Sequence, residues 1–181
     1  MIVGLSGFAR SGKDAIAKIL VEEHGFTRLA FADPIRELLL QINPILSNGK
    51  RLNEVIGEIG WENAKAQTEV RRLLQDTGVG ARTVMGEQVW VVPVMMQMII
   101  PGDFVITDVR FENEANMIKD FGGEVWRVTR DGVSAVNDHI SEASLIDYSF
   151  DHIIENNGTL EDLRGLLHEH LTGVALETKN L

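Results

Sequence analysis

Gly7-Phe8-Ala9-Arg10-Ser11-Gly12-Lys13-Asp14 stands only six residues from the start of the chain. A short apolar run, Ile2 to Leu5, precedes it, and apolar Ile16, Ile19 and Leu20 follow at i, i+3 and i+4. That order predicts a strand, a glycine-rich turn and a helix in direct succession. Glycines let the backbone turn tightly enough for successive N–H groups to face one concavity. The helix starting near Lys13 adds its unpaired N-terminal N–H groups and the positive end of its dipole. Such a concavity suits a polyphosphate. Gly7, Arg10, Ser11 and Gly12 would form the cradle, and Lys13 is the mobile charge expected to reach the β- and γ-phosphates.

The residue after the lysine normally supplies a hydroxyl to magnesium. Here it is Asp14. A carboxylate in this place could hold magnesium directly or through water, because that ion takes oxygen ligands and keeps several waters. It also offsets the charge of Lys13. The bland alternative is a glycine-rich turn ahead of an ordinary helix, with Asp14 a simple helix-start carboxylate.

The 181 residues are 44% hydrophobic and 24% charged, enough to bury a substantial core in one compact domain. The formal net charge of −10 argues against a broad basic face for a nucleic-acid polymer and in favour of a small ligand. Eleven of the basic residues are Arg and six Lys, a surplus of planar forks suited to small anions. The absence of cysteine excludes disulfides, thiolate metal sites and cysteine nucleophiles. No apolar run approaches the ~20 residues that span a bilayer, and the N-terminus shows neither a basic nor an apolar signal region. A cytoplasmic protein without a membrane partner is expected, with a homodimer left open.

Further strands are expected at Thr27–Phe31, Phe104–Thr107, Glu124–Thr129 and Phe150–Ile154. Asp33 and Pro34 read as the N-cap and first position of a helix striped by Ile35, Leu38, Leu39 and Ile42. Residues 43–62 lack a clear period and read as a mobile excursion. A helix is expected from Asn63 to Gln75, ending near Asp76-Thr77-Gly78, with a loop from Gly78 to Arg82. Val92, Met95, Met96 and Ile99 suggest a buried helix that Pro93 kinks or confines to a first turn. Trp90 beside it either packs or stacks on a base. Asp108 ends the Phe104–Thr107 strand, at the edge where open α/β sheets bind ligands. Arg110 and Glu114 follow, then a helix with Ala115, Ile118 and Phe121 inward and Gly122-Gly123 as its stop. Residues 130–144, with His139, Ser141 and Glu142, are long enough for a lid. Thr159 should cap a closing helix striped by Leu160, Leu163, Leu167 and Leu171, with a loose tail from Gly173. His168 and His170, two apart on that helix, have the wrong spacing to share a metal.

Strands alternating with helices predict a three-layer α/β fold on a mainly parallel sheet of about five strands. The only candidate for a guanine-reading motif, Thr178-Lys179-Asn180-Leu181, lacks its aspartate. A switch GTPase is therefore discounted.

Several blocks in fixed order carry a resemblance: Gly7 to Asp14, Phe31-Ala32-Asp33-Pro34, Leu74-Gln75-Asp76-Thr77-Gly78 with Arg82, the Trp90 region, Ile106 to Glu114, Gly122-Gly123 with Arg127 and Arg130, His139-x-Ser141-Glu142, and Asn156-Asn157-Gly158-Thr159. The chain resembles the phage-type deoxynucleoside monophosphate kinases over nearly its whole length. The resemblance implies an adenylate-kinase-like P-loop fold with a lid, ATP and magnesium, and a deoxynucleoside monophosphate as acceptor. A phage protein of this kind would work in the host cytoplasm. It further implies that Lys13 and its loop hold the donor phosphates, that Asp14 and Asp108 serve the metal or the acceptor, and that Arg130 assists transfer. Asp33, Arg36, Arg71 or Arg72, Arg110 and Glu114 would contact the acceptor, and Trp90 would face its base. Arg82 stands slightly later after Gly78 than that pattern has it. The alternatives are a small-molecule kinase of the dephospho-coenzyme A or phosphomevalonate type, or a regulator that binds ATP without turnover.

An acceptor phosphate with a second pKa of about 6 is already ionised at neutral pH. Catalysis then needs alignment and charge neutralisation rather than a general base. The arginines Arg10, Arg36, Arg71, Arg72, Arg110, Arg127 and Arg130, near expected loop or strand ends, answer that need.

Overall fold

A computed structural model describes residues 1–134, 145 and 147–177. They fall into two compact units, one made of Met1–Ala30 with Ile100–Leu181 and one of Phe31–Ile99. Most of the expected lid, including His139, Ser141 and Glu142, lies outside the described residues.

The first unit is built on five strands: β1 (Ile2–Ser6), β2 (Thr27–Leu29), β3 (Phe104–Ile106), β4 (Glu124–Thr129) and β5 (His152–Glu155). All pairs are parallel, in the order β2-β3-β1-β4-β5. The middle strand is therefore the one that runs into the glycine-rich loop. Alternation along β1 explains the layers. Val3 and Leu5 are fully buried against Ile16, Ile19 and Leu20 of α1 (Lys13–His24) and Leu163 and Leu167 of α7 (Leu160–Glu177). Gly4 points to the other face, where a Cβ would stand 2.5 Å from Ile118 Cδ1 of α6 (Glu112–Asp120). Helices thus cover both faces, and glycine at position 4 lets α6 lie directly on the sheet. Burying each large apolar side chain of this core contributes about 1.5–3 kcal/mol.

Local signals set the ends of these helices. Gly25, at φ 75°, closes α1 with its N–H on the Leu20 carbonyl. Thr159 caps α7: its Oγ1 accepts the Asp162 N–H at 3.2 Å, while Asp162 Oδ2 accepts the Thr159 N–H at 2.7 Å. Two expected inward positions are corrected. Phe121 is half-exposed because it is the cap residue of α6 and has left the helical stripe; Met117 takes its place in the core. Leu160, the first residue of α7, is also exposed. The expected tail is helical through Glu177.

The second unit is helical: α2 (Ala32–Ile42), α3 (Leu52–Ala64), α4 (Thr68–Met85), a single 3-10 turn (Glu87–Val89) and α5 (Val91–Gln97). Leu39, Leu46, Leu52, Val55, Ala64 and Val70 form its core. Four readings change here. Asp33 is not the N-cap of α2, because the helix already begins at Ala32 and Asp33 sits in its first turn. The 43–62 stretch contains α3, broken at Gly60, whose φ of 73° interrupts the helical period. α4 runs straight through Gly78 and Gly80 to Met85, so the expected loop is helix. On α5 the buried residues are Val91 and Val94, followed by Met98, whereas Val92, Met96 and Ile99 are exposed. The apolar face is one residue out of step with the expected one, and Pro93 occupies the first turn as allowed for.

Candidate functional site

The loop at the end of β1 has a backbone that only glycine tolerates at two points. Gly7 has φ 146°, and a Cβ there would lie 2.3 Å from the Val128 carbonyl oxygen. Gly12 has φ 110°, and its Cβ would lie 2.0 Å from Asn156 Nδ2. Arg10 also adopts a left-handed conformation, φ 68°, which costs a non-glycine residue roughly 1–2 kcal/mol. Strain of this kind collects in loops shaped for a ligand. Asn156 follows β5 and donates from Nδ2 to the Ser11 carbonyl at 2.9 Å, while its own N–H bonds the Thr129 carbonyl. The last strand therefore holds the loop's second half in place. Ser11 is 1% exposed, and its hydroxyl has no hydrogen-bond partner among the described residues.

Gly12 is the N-cap of α1 and brings no side-chain cap. The start of the helix thus offers uncapped N–H donors and its positive dipole end. Lys13 folds back over the loop, donating from Nζ to the Gly7 carbonyl at 2.7 Å and the Phe8 carbonyl at 2.8 Å. Burial, and then the neighbouring Arg110 and Arg127 guanidiniums, lower its pKa to about 8 against the opposing pull of Asp14 and Asp108. Two cations and two carboxylates therefore share its surroundings. An arriving polyphosphate would replace the two carbonyls with stronger, charge-assisted partners.

The segment after β3 is drawn alongside the loop by the Val109 N–H, which bonds the Leu5 carbonyl at 3.1 Å. Asp108 is half-buried there and Arg110 is exposed. Glu114 is 3% exposed, and its Oε2 accepts the N–H groups of Arg110 at 2.8 Å and Phe111 at 3.1 Å. It shapes the turn that carries Asp108 and Arg110. A shallow cleft opens between these segments, lined among others by Ser6, Gly7, Phe8, Arg110, Arg127 and Leu145. Arg130, at the end of β4, and Asp14 are both exposed. Asp14 and Asp108 are the oxygen donors nearest in kind to a magnesium site, since that ion needs only one or two carboxylates beside phosphates and water. Among the described residues there is no cluster of three or more His, Cys, Asp or Glu able to hold a metal alone.

In the second unit, Asp33 and Arg36 form an ion pair at 3.3 Å, and Arg36 also reaches Glu62 at 3.7 Å and lies over the Trp61 ring. Arg36 Nε is buried without a hydrogen-bond partner. Arg71 donates to the Lys65 carbonyl, and Arg72 pairs with Asp76; both are exposed. Trp90 is 5% exposed and donates its indole N–H to the Gly78 carbonyl at 2.9 Å, so within this unit it packs. Trp61, Glu62, Phe8 and Phe150 were not singled out from the sequence. An aromatic or carboxylate carries no local signature of which arginine it will meet.

A parallel sheet in this order, with a glycine-lysine loop leaving its middle strand, defines the class of P-loop phosphotransferases of the kinase type. The family model of deoxynucleotide monophosphate kinases matches residues 47–166, and the chain belongs to that family. A protein of Acanthamoeba polyphaga mimivirus, provisionally assigned as a deoxynucleotide monophosphate kinase, is 27% identical over 183 residues, covering 90% of this chain and 91% of its own. Among solved structures, shikimate kinase from Aquifex aeolicus is similar with a TM-score of 0.48 at 13% identity, covering 97% of this chain and 99% of its own. Dephospho-CoA kinase from Campylobacter jejuni gives 0.47 at 18% identity, covering 96% of each. No helix among the described residues is long and apolar enough to cross a membrane.

Proposed function

We propose that this kinase transfers the γ-phosphoryl group of ATP to the phosphate of a deoxynucleoside monophosphate, releasing ADP and the diphosphate. The observation that carries the reading is the loop of Gly7 to Lys13, with its uncapped helix start, lying beside the Asp108-Arg110 segment. Membership of the deoxynucleotide monophosphate kinase family supports it.

In this reading the loop of Gly7, Arg10, Ser11 and Gly12 holds the triphosphate, the Ser11 N–H giving up its 3.2 Å bond to the Phe8 carbonyl, and Lys13 exchanges the Gly7 and Phe8 carbonyls for β- and γ-phosphate oxygens. Asp14 and Asp108 would hold magnesium, which when bound neutralises charge on the phosphates. The acceptor phosphate attacks without a general base, because its second pKa of about 6 leaves it ionised at neutral pH. Arg110 and Arg130 stabilise the charge that develops on the transferring group. Asp33, Arg36, Arg71 and Arg72 are assigned to recognition of the acceptor. Trp90, with its indole committed to Gly78, would support that region rather than read a base.

The test mixes the protein with ATP, magnesium and each deoxynucleoside monophosphate and follows ADP by a coupled assay. ADP should form with at least one acceptor and not with ATP alone. Absence of ADP with all four, and with base-modified monophosphates, would falsify the reading.

A further inference from the structure

Arg127 is in register with Ser6 of the central strand, and its Nη1 donates to Ser6 Oγ at 3.4 Å. Its guanidinium carbon lies 4.9 Å from the centre of the Phe8 ring and 5.5 Å from that of Phe150. No carboxylate pairs with it among the described residues, and burial alone pulls its pKa below the usual arginine value. In a chain with a net charge of −10, a half-buried arginine without a counter-ion is a costly arrangement. The cost is compounded by Lys13 and Arg110, which face the same neighbourhood with the same sign. Among the described residues no counter-ion offsets it, and an anion arriving from outside would.

The position of the cleft indicates which anion. Uncapped N–H groups at the start of α1 serve one phosphate chain, on the Gly12 side of the loop. Arg127 lines the cleft beside that loop together with Ser6, Gly7, Phe8 and Arg110. The two cations that line it, Arg127 and Arg110, suit a second phosphate group. Two aromatic rings flank the guanidinium and limit its freedom, which lowers the entropic cost of offering its fork to two oxygens of one phosphate.

We propose that Arg127 binds the phosphate of the acceptor nucleotide, in the cleft bounded by Ser6, Phe8 and Arg110, and that Phe8 and Phe150 hold it in the orientation this requires. The inference rests on the kinase reading above. It adds a residue to the acceptor site and assigns the cleft to one substrate.

The test compares wild type with Arg127→Met, which keeps the stem and removes the charge, and Arg127→Lys, which keeps the charge and removes the fork. With the best of the four deoxynucleoside monophosphates, Arg127→Met should raise the acceptor KM by about 10- to 100-fold, the range of a charge-assisted hydrogen bond to an ion. ATP affinity should stay within about twofold, and Arg127→Lys should recover part of the loss. Melting without ligand separates this role from a structural one. Removing an uncompensated cation should leave the Tm unchanged or raise it by about 2–4 °C, whereas an arginine that holds the fold would lower it. A further arm needs no turnover. Inorganic phosphate, titrated onto protein saturated with a non-hydrolysable ATP analogue, should raise the Tm of wild type and not that of Arg127→Met. An unchanged acceptor KM, an equal loss of ATP affinity, a lowered Tm or equal phosphate shifts would overturn the assignment. A wild type that makes no ADP with any acceptor would instead sink the kinase reading, and the phosphate titration would still decide the role of Arg127.

Discussion

Lys13 is held by the loop it serves. Its ammonium rests on the Gly7 and Phe8 carbonyls, yet burial and two arginines pull its pKa from 10.5 to about 8. Because the folded value lies below the unfolded one, the native state binds fewer protons between about pH 8 and about pH 10.5. Unfolding free energy therefore gains from this group as pH rises through that window, and the penalty is present in full below about pH 8. Lys13→Met should accordingly melt higher than wild type near pH 7, with the advantage shrinking towards about pH 10; a difference independent of pH would remove this account. On the proposed function, the same feature would make ATP binding take up protons near pH 8, since phosphate oxygens favour the charged lysine. Calorimetry in two buffers of different ionisation enthalpy reads that uptake directly.

At the scale of elements, the strands were legible because β1 and β3 are short apolar runs and β4 alternates apolar with polar residues, with turn signals between them. The loop was legible because its glycines, its lysine and its place between strand and helix all coincide. The helices of the second unit were harder to read. Gly78 and Gly80 act locally as stop signals, but α4 passes through them. The indole of Trp90 bonds the Gly78 carbonyl and Ile35 packs where a Gly78 side chain would begin, and neither contact is visible in the local pattern. Tertiary packing overrode a cost of about 1 kcal/mol per glycine. Gly80 has open space around it, so Gly80→Ala should stabilise the protein by about 0.5–1 kcal/mol in urea unfolding. Destabilisation would mean that α4 is not continuous there. The face of α5 was misread by one residue because a stretch this rich in Val and Met offers several stripes of equal apolarity. The placement of Asp108 and Arg110 beside the loop was legible from their position after a buried strand. The tasks of Glu114 and Asn156 were not, since both bond backbone groups and backbone geometry leaves no trace in composition.

Across the whole molecule, residues 145 positions apart close one site: Asn156 bonds the Ser11 carbonyl and stands where any side chain on residue 12 would have to go. Asn156→Ala should cost about 1–3 kcal/mol, the penalty of a buried carbonyl left unpaired. It should also weaken ATP binding while amide exchange in the loop speeds up. Unaltered exchange at Ser11 and Gly12 would show that the loop holds its shape without this contact.

The interlock also bears on the order in which the protein matures. The glycine-rich turn leaves the ribosome with β1, but the side chain that braces it stands just after β5. A nascent chain therefore carries the turn unbraced until Asn156 has followed it out. The turn takes its braced shape only once the segment after β5 has joined it, rather than at the outset of folding.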